Sequence, residues 1–210
     1  MLVPRNKEEN QRIKDERREQ ILSNALKLFA RNGLAATKIS DIALAAEISQ
    51  GLIYHYYKSK EEIFVELISF AFDRINQACL WLENQPLPPA EKIAFAIREL
   101  LRLLEEDENA ARYHLLIAQA TATEAIPVKA KEIIKQKNTL PYESIERIMA
   151  AGQNEGTIKQ NNARELALVF WTSINGLAIY KAVHGKKFKA PNATILINMF
   201  VNEYGKEESE

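Results

Sequence analysis

"TKISDIALAAEISQGLIYHYYKSK" runs from residue 37 to residue 60. Its first half carries Ile39, Ile42, Ala43 and Ala46 at helical spacing, the mark of one inward face. Its second half sets Tyr54, His55, Tyr56 and Tyr57 in succession. Neighbours on a helix point about 100° apart, so four in a row sweep most of the circumference and some of these rings must face outward. Thr37 and Ser49 stand where helix-capping hydroxyls belong. About three residues separate the two short helices at 37–46 and 49–57. That is the layout of a helix-turn-helix, in which the first helix braces the second for entry into a major groove.

The second helix has the side chains for that task. Ser49 opens it, leaving backbone amides at an N-terminus where a phosphate is favoured. Gln50 can pair bidentately with adenine and Leu52 can touch a thymine methyl. Gly51 lets backbone approach backbone. Tyr54, His55 and Tyr56 offer polar tips on flat rings, while Lys58 and Lys60 bring positive charge beside the phosphates. Ile53 and part of Tyr57 are the expected inward residues.

Working outward, Ile21, Leu22, Ala25, Leu28 and Phe29 predict a helix ending near Asn32-Gly33. Ser59 with Glu62 reads as a capping box opening a long helix to about residue 83. Pro86, Pro88 and Pro89 mark the clearest break. Beyond it the pattern predicts helices over 89–106, 109–122 and 127–152, the last bent or broken at Pro141. Two more follow, over 162–183 and 192–204. Residues 1–14 lack periodicity and read as a flexible arm, and 206–210 as a frayed tail. No strand-like alternation is present, so the expected fold class is all-α.

Composition narrows the function. The 210 residues are 47% apolar, enough for a substantial core. The net charge is zero, yet residues 1–60 carry +4 and the remainder −4. A basic front on an acidic body suggests that only the front meets a polyanion. A lone cysteine, Cys79, excludes an internal disulfide framework and points to a reducing compartment. No basic-then-apolar leader opens the chain, and the longest charge-free apolar run, 166–180, is shorter than the roughly 20 residues a bilayer requires. A cytoplasmic protein is expected. There is no phosphate-binding glycine loop, nucleophile elbow or His-Glu-x-x-His motif, so no catalytic residue, cofactor or metal is expected, and the chain does not read as an enzyme.

Residues 15–75 resemble the tetracycline-repressor (TetR) family of bacterial regulators. The resemblance rests on "ILSNALKLFARNGLAATKISDIALAAEISQGLIYHYYKSKEEIFVELI", 21–68, and within it on "SDIA" and "GLIYHYYKSKEEIF". It implies a three-helix DNA-binding domain at 15–75, with its motif at about 38–57. A helical effector-binding and dimerisation domain would occupy 76–205. Thr37, Lys38 and Ser40 would meet DNA from the bracing helix. Ser49, Gln50, Gly51, Leu52, Tyr54, His55, Tyr56 and Lys60 would do so on or just after the recognition helix. One departure is visible: the family often has glycine where Glu47 stands. A left-handed backbone there would cost a non-glycine about 1–2 kcal/mol.

For the second domain, Phe95, Tyr113, His114, Gln119, Trp171 and Asn175 could line an apolar pocket with a few orienting polar groups. The helices at 163–183 and 192–204 are apolar enough to pair with those of a second copy as a four-helix interface. The expected whole is a homodimeric repressor on a palindromic operator, released by a small apolar or amphipathic effector. The alternative is a dimeric DNA-binding protein without effector, such as an architectural or accessory factor.

Overall fold

The computed structural model describes residues 7–202, and it is all-α. The helices are α1 (Lys7–Ala36), α2 (Ile39–Ala45), α3 (Gln50–Tyr56), α4 (Lys60–Glu83), α5 (Pro89–Glu106), α6 (Glu108–Thr121), α7 (Val128–Lys137), α8 (Thr139–Asn154), α9 (Ala163–His184) and α10 (Ala193–Phe200). Among the described residues the nearest thing to a sheet is one antiparallel bridge between Ile158 and Val201.

Local chemistry sets most boundaries. Gly33, at φ 77° and ψ 167°, kinks α1 where the Asn32-Gly33 signal stands. Ser49 Oγ accepts the Leu52 N–H and starts α3. Ser59 Oγ accepts the Glu62 N–H, while the Glu62 carboxylate takes the Lys58 N–H at 2.6 Å. Asn162 accepts two amides to open α9, and Asn192 opens α10. Between α2 and α3 the chain turns through Glu47 at φ 53°, in the left-handed region. Its N–H bonds Leu44 O, and that of Ile48 reaches back to Ala43 O, the paired bonds of a Schellman termination. Glycine would hold this turn without the Cβ clash. Glu47→Gly should therefore stabilise the fold by about 1 kcal/mol, read as a higher urea midpoint at constant slope.

Four expectations change. The aperiodic segment from Lys7 onward is helical, supported by exposed side-chain pairs such as Arg12–Glu16, so the arm of 1–14 is helix from residue 7. Residues 1–6 and 206–210 lie outside the described residues. The break between α7 and α8 falls at Asn138, not Pro141. Pro141 sits in the first turn of α8, where an N–H has no helical acceptor and its loss costs little. The last helix ends at Phe200, and Tyr204 lies outside the described residues. Val201 is extended, held by Lys159 N–H on Phe200 O and Asn202 N–H on Thr157 O. Finally, the span Ala163–Lys187 is long and apolar enough by composition to cross a membrane. Here it packs against α6 and α8 as a wall of the interior.

Among the described residues the buried side chains form two clusters. One is built on Ile21, Phe29, Ile42, Ile53, Phe64 and Ile68, and it also takes Leu116 and Ala120 of α6 and Ala130 of α7. The other gathers Leu82, Ile97, Leu104, Met149, Phe170 and Phe200 from α4, α5, α8, α9 and α10, with Ala111 of α6. Thus α4 and α6 each belong to both.

Candidate nucleic-acid interface and effector cavity

The α3 helix is held by one buried side chain, Ile53, which is fully enclosed. Gln50, Gly51, Tyr54 and His55 are exposed, and Leu52 and Tyr56 are half-buried. Tyr54 shows 56% of its surface. The rings of His55 and Tyr56 meet edge to face at 5.5 Å, so they stiffen one another. A Cβ at position 51 would meet nothing nearer than Ser49 Oγ at 3.9 Å. Nothing within the fold requires glycine there, although glycine inside a helix costs about 0.5–1 kcal/mol. Lys38 and Lys58 are exposed around this face, and Ser40 is half-buried. Tyr57 turns inward, its hydroxyl donating to Glu66 at 3.3 Å, and burial pushes its pKa up to about 12.

Two expected contact residues point into the protein. Thr37 is fully buried and its hydroxyl donates to Gly33 O at 2.8 Å, so it finishes the preceding turn and neither caps α2 nor reaches the surface. The cap of α2 comes instead from Asp41, whose carboxylate takes the Lys38 N–H at 2.9 Å. The Lys60 ammonium donates to the carbonyls of Leu34, Ala35 and Thr37 at 2.8, 3.1 and 2.7 Å. All three of its protons are thereby used, leaving none for a phosphate. Lys60→Met should cost about 1.5–3 kcal/mol in chemical unfolding, because hydrogen bonds to a charged group are lost and carbonyls are orphaned. The salt dependence of DNA binding should stay as in the parent protein, which a titration at several ionic strengths would read.

Between α4, α5, α6, α8 and α9 lies a cavity of about 450 Å³. Phe95, Tyr113, His114 and Trp171 line it. Trp171 has its indole N–H on Pro141 O at 3.0 Å, which fixes the ring in the wall. Asn175 does not line the cavity. It stands behind His114, its Oδ1 2.9 Å from Nδ1, and sets the ring's orientation. Gln119 faces away, its amide donating to Ala30 O at 3.0 Å in the N-terminal half. Burial holds the His114 pKa below the usual imidazole range, so the ring is neutral at neutral pH.

The α4 wall was missed from sequence: Arg74, Ile75, Ala78, Cys79, Trp81 and Leu82. Positions 71, 75, 78 and 82 have the spacing of an ordinary inward face, and nothing local distinguishes a wall from a core. Cys79 has its pKa pushed up to about 12 by burial and the nearby Glu83 charge. A nucleophilic cysteine has the opposite shift, so this thiol is packing.

Residues 21–67 match the family described as "Bacterial regulatory proteins, tetR family". The HTH-type transcriptional regulator AcrR of Shigella flexneri is 32% identical over 102 residues, a match spanning 49% of this chain and 46% of that one. The chain thus aligns with about half the length of that relative. Among solved structures, the MbdR regulator from Azoarcus sp. CIB superposes with a TM-score of 0.74 at 24% identity, covering 86% of this chain and 95% of that one. The transcriptional regulator FadR from Bacillus subtilis, in complex with stearoyl-CoA, does so with 0.61 at 22% identity, covering 86% and 94%.

Proposed function

The chain belongs to the tetR family of bacterial regulatory proteins, and from that premise we propose that it is a repressor that binds a palindromic operator as a homodimer and leaves it when an apolar or amphipathic molecule fills the cavity. One observation carries the reading. The helices that hold the exposed α3 face are the helices that wall the cavity. α4 gives Ile63, Phe64 and Leu67 to the N-terminal core and Ile75, Cys79 and Leu82 to the cavity. α6 gives Leu116 and Ala120 to the former, and Tyr113 and His114 to the latter. Packed helices shift as bodies, so an occupant that tilts either one moves α3.

In this reading Gln50, Gly51, Tyr54, His55 and Tyr56 face the major groove, with Ser49 and Leu52 at their edge and Lys38, Ser40 and Lys58 towards the backbone. The second copy would sit on the open face of α9 and α10. There Leu168, Val169, Ile179, Tyr180, Val183, Ile195 and Met199 expose from 39% to 73% of their surface. Exposed apolar side chains gathered on two helices mark an interaction site. Two α3 helices related by a two-fold axis would then reach successive major grooves, about 34 Å apart. Acting on the chromosome, the protein would work in the cytoplasm. Against a DNA-binding protein without effector stands the cavity itself, since native interiors are otherwise close-packed.

The test starts from a duplex selected out of a random pool. Gln50→Ala should weaken that duplex by about 1–3 kcal/mol and relax preference at one base pair. Ala110→Phe, which fills the cavity from α6, should keep operator binding and abolish release by any compound of an apolar and amphipathic panel. Loss of operator binding in that variant, with the fold preserved, would make the region structural core and refute the effector reading.

A further inference from the structure

From the mouth of this cavity we infer that the effector is an anionic amphiphile, a single apolar chain carrying an acidic head, with the head on Arg74 and the chain inside. The inference rests on the effector reading and names the class of ligand. On α4, Arg74, Ala78 and Trp81 line the cavity, and Phe70 is spaced so that it shares their side of the helix. Aromatic pairs close both ends. Phe70 meets Tyr113 of α6 at 5.6 Å, and Trp81 meets Phe95 of α5 at 5.7 Å. Between the pairs the lining side chains are small, Ala78 of α4 and Ala110 of α6. A slender chain can pass there.

Charge at the mouth selects the head. Among the described residues three charged side chains line the cavity: Arg74, Glu99 and Asp107. Both acids are committed. Glu99 accepts two hydrogen bonds from Arg102, at 3.0 and 2.6 Å, and its pKa is lowered accordingly. Asp107 caps α6, accepting the Asn109 N–H at 2.8 Å. Arg74 is exposed, with its guanidinium 5.8 Å from the Phe70 ring centre. Among the described residues no carboxylate lies within ion-pair distance of it and no acceptor takes its protons. Its planar fork suits a carboxylate or a phosphate.

The interior suits the chain. Beyond the mouth the walls are Ile75, Leu82, Leu100, Ile145 and Phe170, with His114 as the polar exception. Its Nδ1 is engaged by Asn175, and its Nε2 has no partner among the described residues. Among the described residues nothing fixes the Asn175 amide from its other side, so the ring can present either an acceptor or a donor. One polar group along the chain, such as a carbonyl or hydroxyl, would be matched there.

Carboxylate and phosphate heads share this chemistry, and the experiment separates them. Tryptophan fluorescence of the intact protein, which reports Trp81 at the mouth and Trp171 in the wall, is titrated below micelle-forming concentrations. The probes are dodecanoate, dodecanoyl-CoA, dodecanol and dodecyltrimethylammonium. Each is also tested for release of the selected duplex. At least one anion should bind tenfold or more tighter than dodecanol and release the DNA. Arg74→Gln should erase that difference while leaving dodecanol affinity unchanged, and Arg74→Lys should retain part of it. Dodecanoate binding as tightly as its thioester would place the carboxylate on Arg74, and the thioester alone would place the phosphates there. Tightest binding of dodecyltrimethylammonium, or anion binding indifferent to Arg74→Gln, overturns the anionic class and leaves the effector reading standing. If no probe binds and Ala110→Phe also disrupts operator binding, both fall together.

Discussion

The double substitution Ile179→Glu with Val183→Glu is expected to make the protein a monomer and to lower operator affinity by about three orders of magnitude or more, the usual interval between specific and non-specific binding. Both side chains stand on the open face of α9, 40% and 73% exposed. Within one chain they hold little, so the fold should survive within about 0.5 kcal/mol per site. Across a two-fold interface, however, four carboxylates would enter an apolar strip without partners, and uncompensated buried charge costs several kcal/mol per ion. Sedimentation should return the single-chain mass of 23.9 kDa, where the proposed homodimer of the parent should give twice that value. Helical content by circular dichroism should be unchanged. A variant that still sediments as a dimer would put the interface on another surface.

Ile53→Ala should be the most damaging single truncation for DNA binding that touches no DNA. α3 has seven residues, too few to persist as an isolated helix, and Ile53 is its one buried side chain. The truncation should cost about 2–5 kcal/mol. Much of the loss should be local: amides of α3 should exchange with solvent faster than those of α4, and operator binding should vanish before the protein unfolds. Tyr54→Ala supplies the contrast. Its side chain is exposed, so stability should hold within about 0.5 kcal/mol while binding falls. Equal destabilisation by both variants would show that Tyr54 is a structural residue of the helix.

What could be read in advance follows the range of the forces involved. Caps act over three or four residues, so Ser49 and Ser59 announced helix starts that the structure contains. The four successive rings at 54–57 resolved as geometry demands, with Tyr57 inside and Tyr54 outside. Side chains whose partners lie far along the chain were misread. Lys60 looks like a surface cation until carbonyls 23–26 residues earlier come round to meet it. Gln119 looked like a pocket residue and instead bonds Ala30, 89 positions away. Arg74 went unnoticed because its significance is an absence: the neighbouring acids are occupied elsewhere, by Arg102 and by a helix cap. No local pattern records that. Pro141 misled in a simpler way. A proline disrupts a helix interior and is accepted in a first turn, and which of these holds depends on where Asn138 ends α7.

The sharing of α6 between the two cores bears on how such proteins can be recombined. Leu116 and Ala120 complete the hydrophobic cluster beneath the reading head, and Ala130 of α7 closes it from the side. A fragment cut after residue 75 would leave that cluster open to water, missing one wall. A chimera that joins this reading head to the body of a relative inherits the same mismatch, unless the matching faces of α6 and α7 travel with it. The unit of transplantation is therefore discontinuous in the chain: the first four helices together with two later strips of side chain.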